Sequence, residues 1–137
     1  MSKMEEMRNR ARDWQRQAEN DLLWTRDTVK AKRYAQACFS AQQTAEKALK
    51  ALALFQGYED VRSHSILKIA QALKINGELE KMAARLDQYY ISARYPDAYA
   101  EGAPFEYFDE NQAQEALGFA ERIVEDIRKQ LGNTPKV

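Results

Sequence analysis

A chain of 137 residues has room for one domain, because a second hydrophobic core would have too few residues to be stable alone. Hydrophobic residues make up 45% of the chain and charged residues 31%, a balance that excludes an intrinsically disordered protein. A single cysteine, Cys38, cannot form an internal disulfide, and no stretch approaches the roughly 20 apolar residues of a membrane span. We therefore expect a cytoplasmic protein that does not contact the membrane.

The charges are distributed unevenly, although the formal net charge is zero. Basic residues outnumber acidic ones in residues 3–33, whereas Arg94 and Arg122 are the only bases in residues 86–126. A nucleic-acid-binding protein usually presents a basic face, and at most half of this chain offers one. We interpret the two segments as solvated helix faces of opposite sign that favour a self-complementary dimer. Electrostatic capture of nucleic acid by the monomer is the weaker alternative.

The first two helices are predicted from apolar periodicity. Apolar residues recur at three- and four-residue steps over residues 5–30, which predicts an amphipathic helix. A short link leads to a second helix over residues 34–56, where alanines lie on nearly every side. Small side chains let neighbouring helices approach closely, so this helix is expected to be central. One small bundle is not expected to cover it on all sides, which favours a homodimer.

Two shorter helices are predicted to follow. Ser63 or Ser65 can cap a third helix, whose apolar stripe covers residues 66–73. A fourth helix extends over residues 79–93 and stops before Pro96, because proline disfavours helical geometry in the preceding residue.

A loop over residues 94–108 precedes the fifth helix, and a loop of this length in a compact protein is expected to be functional or mobile. The fifth helix begins at the cap residue Asp109 and its apolar positions continue to Leu131. The predicted fold is all-α, an antiparallel up-and-down bundle of four main helices plus one short helix. It forms one domain over residues 8–131, with residues 1–7 and 132–137 expected to fray.

The loop and its approach contain most of the candidate chemistry. Aromatic residues are concentrated there, namely Tyr89, Tyr90, Tyr95, Tyr99, Phe105, Tyr107 and Phe108. Aromatic rings beside an arginine predict a nucleotide or RNA site, since rings stack on bases and a guanidinium holds phosphate. The candidate binding residues are Arg94, Tyr90, Tyr95, Asp97 and Tyr99. In the alternative interpretation, the aromatic residues pack the loop against the bundle while Arg94 pairs with Asp87 or Asp97.

His64 is the only histidine and, with Arg94, one of two catalytic candidates. A histidine ordinarily titrates near neutral pH, as general acid–base chemistry requires. The start of a helix disfavours positive charge, however, so a neutral ring bonded to loop backbone is the favoured interpretation.

A polar seam interrupts the alanines of the second helix at Gln43, Glu46, Lys47 and Lys50. It is either a solvated face or a seam buried under the loop or in a dimer interface. One cysteine and one histidine cannot supply the usual ligands of a zinc site, so no metal is predicted. No cofactor is predicted either, unless a nucleotide is bound.

Three passages, read together, are distinctive: ACFSAQQTAEKALKA at residues 37–51, HSI at residues 64–66 and LDQYYISARYPD at residues 86–97. Trp14, Asp21 and Leu22 in the first helix, with the alanine pattern of the fifth, extend the pattern over nearly the whole chain. In this combination the chain resembles the HEPN family (higher eukaryotes and prokaryotes nucleotide-binding domain), in particular its small prokaryotic members.

The resemblance implies a helical bundle that often forms a homodimer and is encoded beside a minimal nucleotidyltransferase, its partner in a toxin–antitoxin pair. It also implies a metal-independent endoribonuclease activity in members that carry a histidine shortly after an arginine. Arg94 matches that arginine, but Tyr99, Ala100 and Glu101 occupy the histidine positions. A phenol is a poor base at neutral pH. The resemblance makes the Tyr99 hydroxyl a candidate acceptor of a nucleotidyl group.

Three hypotheses follow. The first is a nucleotide- or RNA-binding component that acts with a nucleotidyltransferase partner and lacks its own cleavage activity. The second is a metal-independent endoribonuclease toxin that uses Arg94 with His64 or a tyrosine. The third is a structural dimeric scaffold.

Overall fold

A computed structural model describes residues 1–132; residues 133–137, which include most of the predicted frayed C-terminus, lie outside the described part. The described residues form six α-helices, two short 3₁₀ turns and no strand. The helices are α1 (Lys3–Lys30), α2 (Tyr34–Phe55), α3 (Ile66–Ala72), α4 (Glu78–Asp87), α5 (Tyr89–Ser92) and α6 (Glu110–Leu131), and the 3₁₀ turns cover Pro96–Ala98 and Pro104–Tyr107. The prediction of an all-α bundle is confirmed.

The first helix begins earlier than predicted. Ser2 has extended backbone geometry, and its side chain accepts a hydrogen bond from the Glu5 backbone N–H at 3.1 Å. A capping serine satisfies one of the free N–H groups of a helix start. Residues 3–7, which were expected to fray, therefore belong to α1.

The second helix is central, as its alanines predict. It packs against α1, α6 and the shorter helices α3, α4 and α5. Most of its residues are buried. Tyr34 and Phe55 at its two ends keep some exposure, and the other partly exposed residues form one strip along the helix: Gln36, Phe39, Gln43, Lys47, Lys50 and Leu54. A single chain therefore covers α2 on nearly all sides. Five helices of the same chain pack around α2, and the strip is the side that they leave partly exposed, so the expected homodimer stays a prediction.

The predicted fourth helix is divided in two. α4 ends at Asp87, Gln88 lies between the helices, and α5 adds only one turn. The Asp87 carboxylate accepts hydrogen bonds from the backbone N–H groups of Ile66 at 2.9 Å and Leu67 at 3.0 Å. It also accepts the Ser65 hydroxyl at 2.8 Å, so Asp87 joins the end of α4 to the start of α3.

The last helix begins where the sequence predicts. The Asp109 side chain accepts the Gln112 backbone N–H at 2.9 Å, and the Gln112 side chain accepts the Asp109 backbone N–H at 2.9 Å. This reciprocal pair is a capping box. Along α6, the acidic residue Glu121 pairs with Arg26 of α1 at 2.8 Å. The acidic and basic segments thus meet within one chain, and their opposite signs do not by themselves require a second.

None of the helices in residues 1–132 combines the length and the hydropathy of a membrane span.

Candidate nucleotide-binding site

Arg94 lies among three aromatic rings at the end of α5. Its guanidinium carbon is 4.3 Å from the ring centroid of Phe39, 4.6 Å from that of Tyr90 and 4.7 Å from that of Tyr95. Tyr90 and Tyr95 reach Arg94 because they are its neighbours in sequence, whereas Phe39 comes from α2. A guanidinium over aromatic faces is attracted by their negative charge density, which fixes the side chain in one position.

Among residues 1–132, only one hydrogen bond holds the Arg94 guanidinium. Its Nε donates to the backbone carbonyl of Tyr90 at 2.7 Å. Within residues 1–132, no carboxylate forms an ion pair with Arg94, and its two terminal nitrogens donate to no protein acceptor. The fork of donors that ordinarily recognises a phosphate or carboxylate is therefore available to a ligand.

The predicted ion pair of Arg94 with Asp87 or Asp97 is wrong. Asp87 faces the start of α3, where its two oxygens accept backbone and hydroxyl hydrogen bonds. Asp97 is exposed and makes no hydrogen bond or ion pair with any described residue. The structure therefore does not bring Asp97, a predicted binding residue, to the Arg94 guanidinium.

His64 reaches this site from a distant part of the sequence. Its ring stacks on Tyr90, with the two centroids 5.2 Å apart and the planes 21° apart. Tyr90 is thus contacted by both His64 and Arg94, the two catalytic candidates. The expected bonding of the ring to loop backbone is wrong: Nδ1 lies 3.3 Å from the Glu46 carboxylate, and the side chain is 59% exposed.

The polar seam of α2 lies next to His64 and is partly buried. The Glu46 side chain is 6% exposed. Its carboxylate lies 3.0 Å from Lys50 Nζ and 3.3 Å from His64 Nδ1. Lys47 pairs with Asp21 of α1. Neither interpretation describes the whole seam: Glu46 is buried, whereas Gln43, Lys47 and Lys50 keep partial exposure between α1 and the segment before α3.

Two contributing residues were not among the site residues predicted from the sequence. Phe39 supplies the nearest ring to Arg94, and Gln42 donates from Nε2 to the His64 backbone carbonyl at 2.9 Å, which fixes the segment that carries His64. Both lie within residues 37–51 of α2. Nothing local distinguishes Phe39 from a core residue, since its contact with Arg94 depends on how α5 packs on α2.

The remaining aromatic residues shape the loop. Tyr99 stacks on Tyr107, with centroids 4.2 Å apart, and donates from its hydroxyl to the Ser92 carbonyl at 2.8 Å. Tyr89 packs edge-on against Phe108 at 5.6 Å, and burial raises the pKa of the Tyr89 hydroxyl. Tyr99 therefore packs against other loop residues, whereas Tyr90 of α5 and Tyr95 contact Arg94.

The site as a whole combines a phosphate-binding group with ring surfaces. The fork of Arg94 can bind phosphate oxygens in a bidentate manner. Tyr95 is 48% exposed and offers a face on which a base can stack. The arrangement fits a nucleotide, either free or as part of an RNA strand.

Comparisons with known proteins agree on one family. A sequence model of the HEPN domain matches residues 11–130. A Thermus thermophilus protein of known crystal structure is 39% identical, with a TM-score of 0.80 over 89% of this chain and 98% of that one. The crystal structure of an archaeal HEPN homologue is 40% identical, with a TM-score of 0.74 over 88% of this chain and 97% of that one.

A third relative carries a name that refers to activity. It is a Methanocaldococcus jannaschii protein named "putative toxin", 26% identical to this chain. The similarity covers 82% of this chain and 82% of that protein.

Proposed function

The chain belongs to the HEPN family, and we propose that it is a nucleotide- or RNA-binding component of a toxin–antitoxin-type module. In this role it acts with a nucleotidyltransferase partner and does not itself cleave RNA. One observation carries the proposal: the Arg94 guanidinium is held among three aromatic rings, with no carboxylate paired to it in residues 1–132. The toxin name of the M. jannaschii relative supports the type of module.

Binding follows from the chemistry of these groups. Arg94 donates from its terminal nitrogens to two phosphate oxygens, while its Nε keeps the bond to the Tyr90 carbonyl. A base stacks on the exposed ring of Tyr95. Because the rings around the guanidinium exclude water on several sides, the charge-assisted bonds to phosphate are stronger than they would be on an open surface.

The proposed lack of cleavage depends on Tyr99. RNA cleavage without a metal needs a group that removes the proton from a ribose hydroxyl. Tyr99 stands where cleaving relatives would carry histidine, and its hydroxyl donates to the Ser92 carbonyl at 2.8 Å. A phenol engaged in this way is a poor proton acceptor at neutral pH.

A second candidate function has one specific observation in its favour. The His64 ring stacks on Tyr90, which itself contacts Arg94, so an imidazole is within the same site. A metal-independent endoribonuclease would use Arg94 to hold the scissile phosphate and His64 to accept the proton. The Glu46 carboxylate at 3.3 Å would orient the imidazole.

The partners are part of the proposal. The family resemblance supports a homodimer and a minimal nucleotidyltransferase as the second component of the module. Tyr99 is the proposed acceptor: its oxygen forms a bond to the α-phosphorus of a nucleoside triphosphate, pyrophosphate leaves, and the phenolic proton passes to solvent. This transfer requires the hydroxyl to leave the Ser92 carbonyl. Light scattering at micromolar concentration should give twice the mass of the 15.8 kDa chain.

A titration tests the proposal. Purified protein is mixed with AMP, ATP and a short RNA in EDTA, and both binding and RNA length are measured. We expect saturable binding with intact RNA. Shortened RNA would favour the endoribonuclease, and absence of binding to all three would favour the dimeric scaffold.

A further inference from the structure

A second concave surface lies beside the polar seam, between α1 and α2. It is a cavity of about 310 Å³, lined by Arg10, Asp13, Trp14, Gln17 and Lys47. Its volume is at the lower end of the range for small-molecule sites. An indole ring together with two cationic side chains is the combination that binds a base and its phosphate.

This cavity is connected to the Arg94 site by side chains in contact. The Lys50 ammonium lies over the Trp14 ring at 6.0 Å and bonds to Glu46 at 3.0 Å. Glu46 in turn faces His64 at 3.3 Å, and the His64 ring stacks on Tyr90 of the Arg94 site. These side chains form a continuous row, but Glu46 and Lys50 within it are 6% and 12% exposed, so a ligand that spans the two sites lies over Gln43 and Lys47, which keep partial exposure.

The row follows the partly exposed strip of α2. Phe39, at the Arg94 end, and Lys50, at the Trp14 end, lie on this strip, and Gln43 and Lys47 lie between them. With a rise of 1.5 Å per residue, the strip between Phe39 and Lys50 is about 16 Å long. A mononucleotide would occupy one end of this length, whereas a strand would occupy both.

We propose that the Trp14 cavity is a second nucleotide subsite, so that the ligand is a single-stranded RNA that lies along α2 from Arg94 to Trp14. The proposal rests on the proposed function for the Arg94 end of the strand. Trp14 provides a ring surface for a base, and Arg10 binds the phosphate that follows.

The ion pairs inside the cavity leave Arg10 able to bind a phosphate. Arg10 is 69% exposed and pairs with Asp13 at 2.9 Å, one turn along α1. An exposed pair of this kind contributes little to stability, so Arg10 can exchange Asp13 for a phosphate. Lys47 is more buried and stays paired with Asp21, which holds its positive charge at the cavity wall.

The chain offers a matched pair of variants. Arg16 lies on the same helix, pairs with the same Asp13 and is 54% exposed, but it does not line the cavity. Arg10→Gln and Arg16→Gln therefore change the net charge equally. Trp24 is 63% exposed, so Trp24→Phe leaves Trp14 as the sole tryptophan and its fluorescence as a direct probe.

The experiment uses the Trp24→Phe protein, a fluorescently labelled RNA hexanucleotide, DNA of the same sequence and AMP. We expect the RNA to quench the fluorescence of Trp14. Arg10→Gln should weaken RNA binding, and the slope of log binding constant against log salt concentration should become shallower by about 0.7. Arg16→Gln should leave both quantities unchanged, and Arg10→Gln should leave AMP binding at Arg94 unchanged. Weaker binding of the DNA would identify RNA as the ligand.

Failure of the second subsite and failure of the proposed function give different results. If AMP binding depends on Arg94 but the hexanucleotide neither quenches Trp14 nor responds to Arg10→Gln, the second subsite is wrong and the proposed function stands. If quenching depends on Arg10 but no binding depends on Arg94, the proposed function fails while the cavity remains a nucleotide site. Equal effects of Arg10→Gln and Arg16→Gln on RNA binding would show that the overall charge of the protein, and not the cavity, determines the affinity. That result would overturn the proposal.

Discussion

The ring of His64 stacks on the ring of Tyr90, with centroids 5.2 Å apart, and its Nδ1 lies 3.3 Å from the carboxylate of Glu46. This contact joins the segment before α3 to α5, and it places the one histidine of the chain beside the rings that hold Arg94. Glu46, in turn, faces Lys50, so the polar seam of α2 continues directly into the Arg94 site.

The first prediction concerns cleavage. Wild-type protein should leave a structured RNA intact in EDTA, because Tyr99 stands after Arg94 where the family resemblance implies a histidine in members that cleave RNA. Gel electrophoresis of end-labelled RNA measures this. Cleavage that persists through purification and disappears in both His64→Ala and Arg94→Ala would make the endoribonuclease the primary function.

The second prediction concerns the buried pair of Glu46 and Lys50, whose side chains are 6% and 12% exposed. Glu46→Leu should lower the free energy of unfolding by about 3 kcal/mol, because it leaves the Lys50 ammonium buried without its carboxylate. The double variant Glu46→Leu/Lys50→Met should recover most of this loss. Urea denaturation measures both, and a single variant as stable as the double would show that the pair is not coupled.

The third prediction compares two aspartates. Asp87→Ala should lower the free energy of unfolding by about 2 kcal/mol, since it removes a charged acceptor from the start of α3. Asp97→Ala is the control and should change stability by less than about 0.5 kcal/mol, because Asp97 is exposed and bonds to no described residue. Thermal or urea denaturation distinguishes them; equal effects would contradict the role of Asp87.

The fourth prediction concerns Cys38, which is fully buried in α2. Burial raises the pKa of its thiol from 9.0 to about 12. The unfolded thiol ionises near pH 9 while the folded thiol keeps its proton, so its contribution to stability is complete below pH 9 and is lost as pH rises towards 12.

Two measurements check this behaviour. The native protein should resist alkylation at about pH 8, whereas unfolded protein reacts quickly. Between about pH 9 and pH 10 the free energy of unfolding of wild type should fall by about 1 kcal/mol more than that of Cys38→Ala. Rapid alkylation of folded protein would show that the thiol is accessible.

Much of the fold could be predicted because its signals are local. The alanines of α2 indicated the central helix, Asp109 caps α6 as expected, and Ser65, one of the two serines proposed for the role, caps α3. The division of the fourth helix at Gln88 was missed, since α4 ends where Asp87 binds the start of α3. That contact joins segments far apart in sequence, so the periodicity of apolar residues does not indicate it.

The site shows the same division between local and distant contacts. Tyr90, Arg94 and Tyr95 come together within one or two helical turns, so their grouping was visible in the sequence. Phe39 and His64 join them only through the packing of α2 and the α3 approach against α5. Spacing alone allowed Arg94 to pair with Asp87, but Asp87 faces α3 instead.

The central claim is that Arg94 binds phosphate, and AMP titration of Arg94 variants by calorimetry tests it most directly. Arg94→Ala should weaken binding by more than about 1.5 kcal/mol, and Arg94→Lys should recover only part, because lysine lacks the planar fork. Arg85→Ala removes an exposed arginine that pairs with Glu115, and it should leave AMP binding unchanged. Circular dichroism should show that all three variants are folded. Equal AMP affinities of Arg94→Ala and wild type would contradict the account.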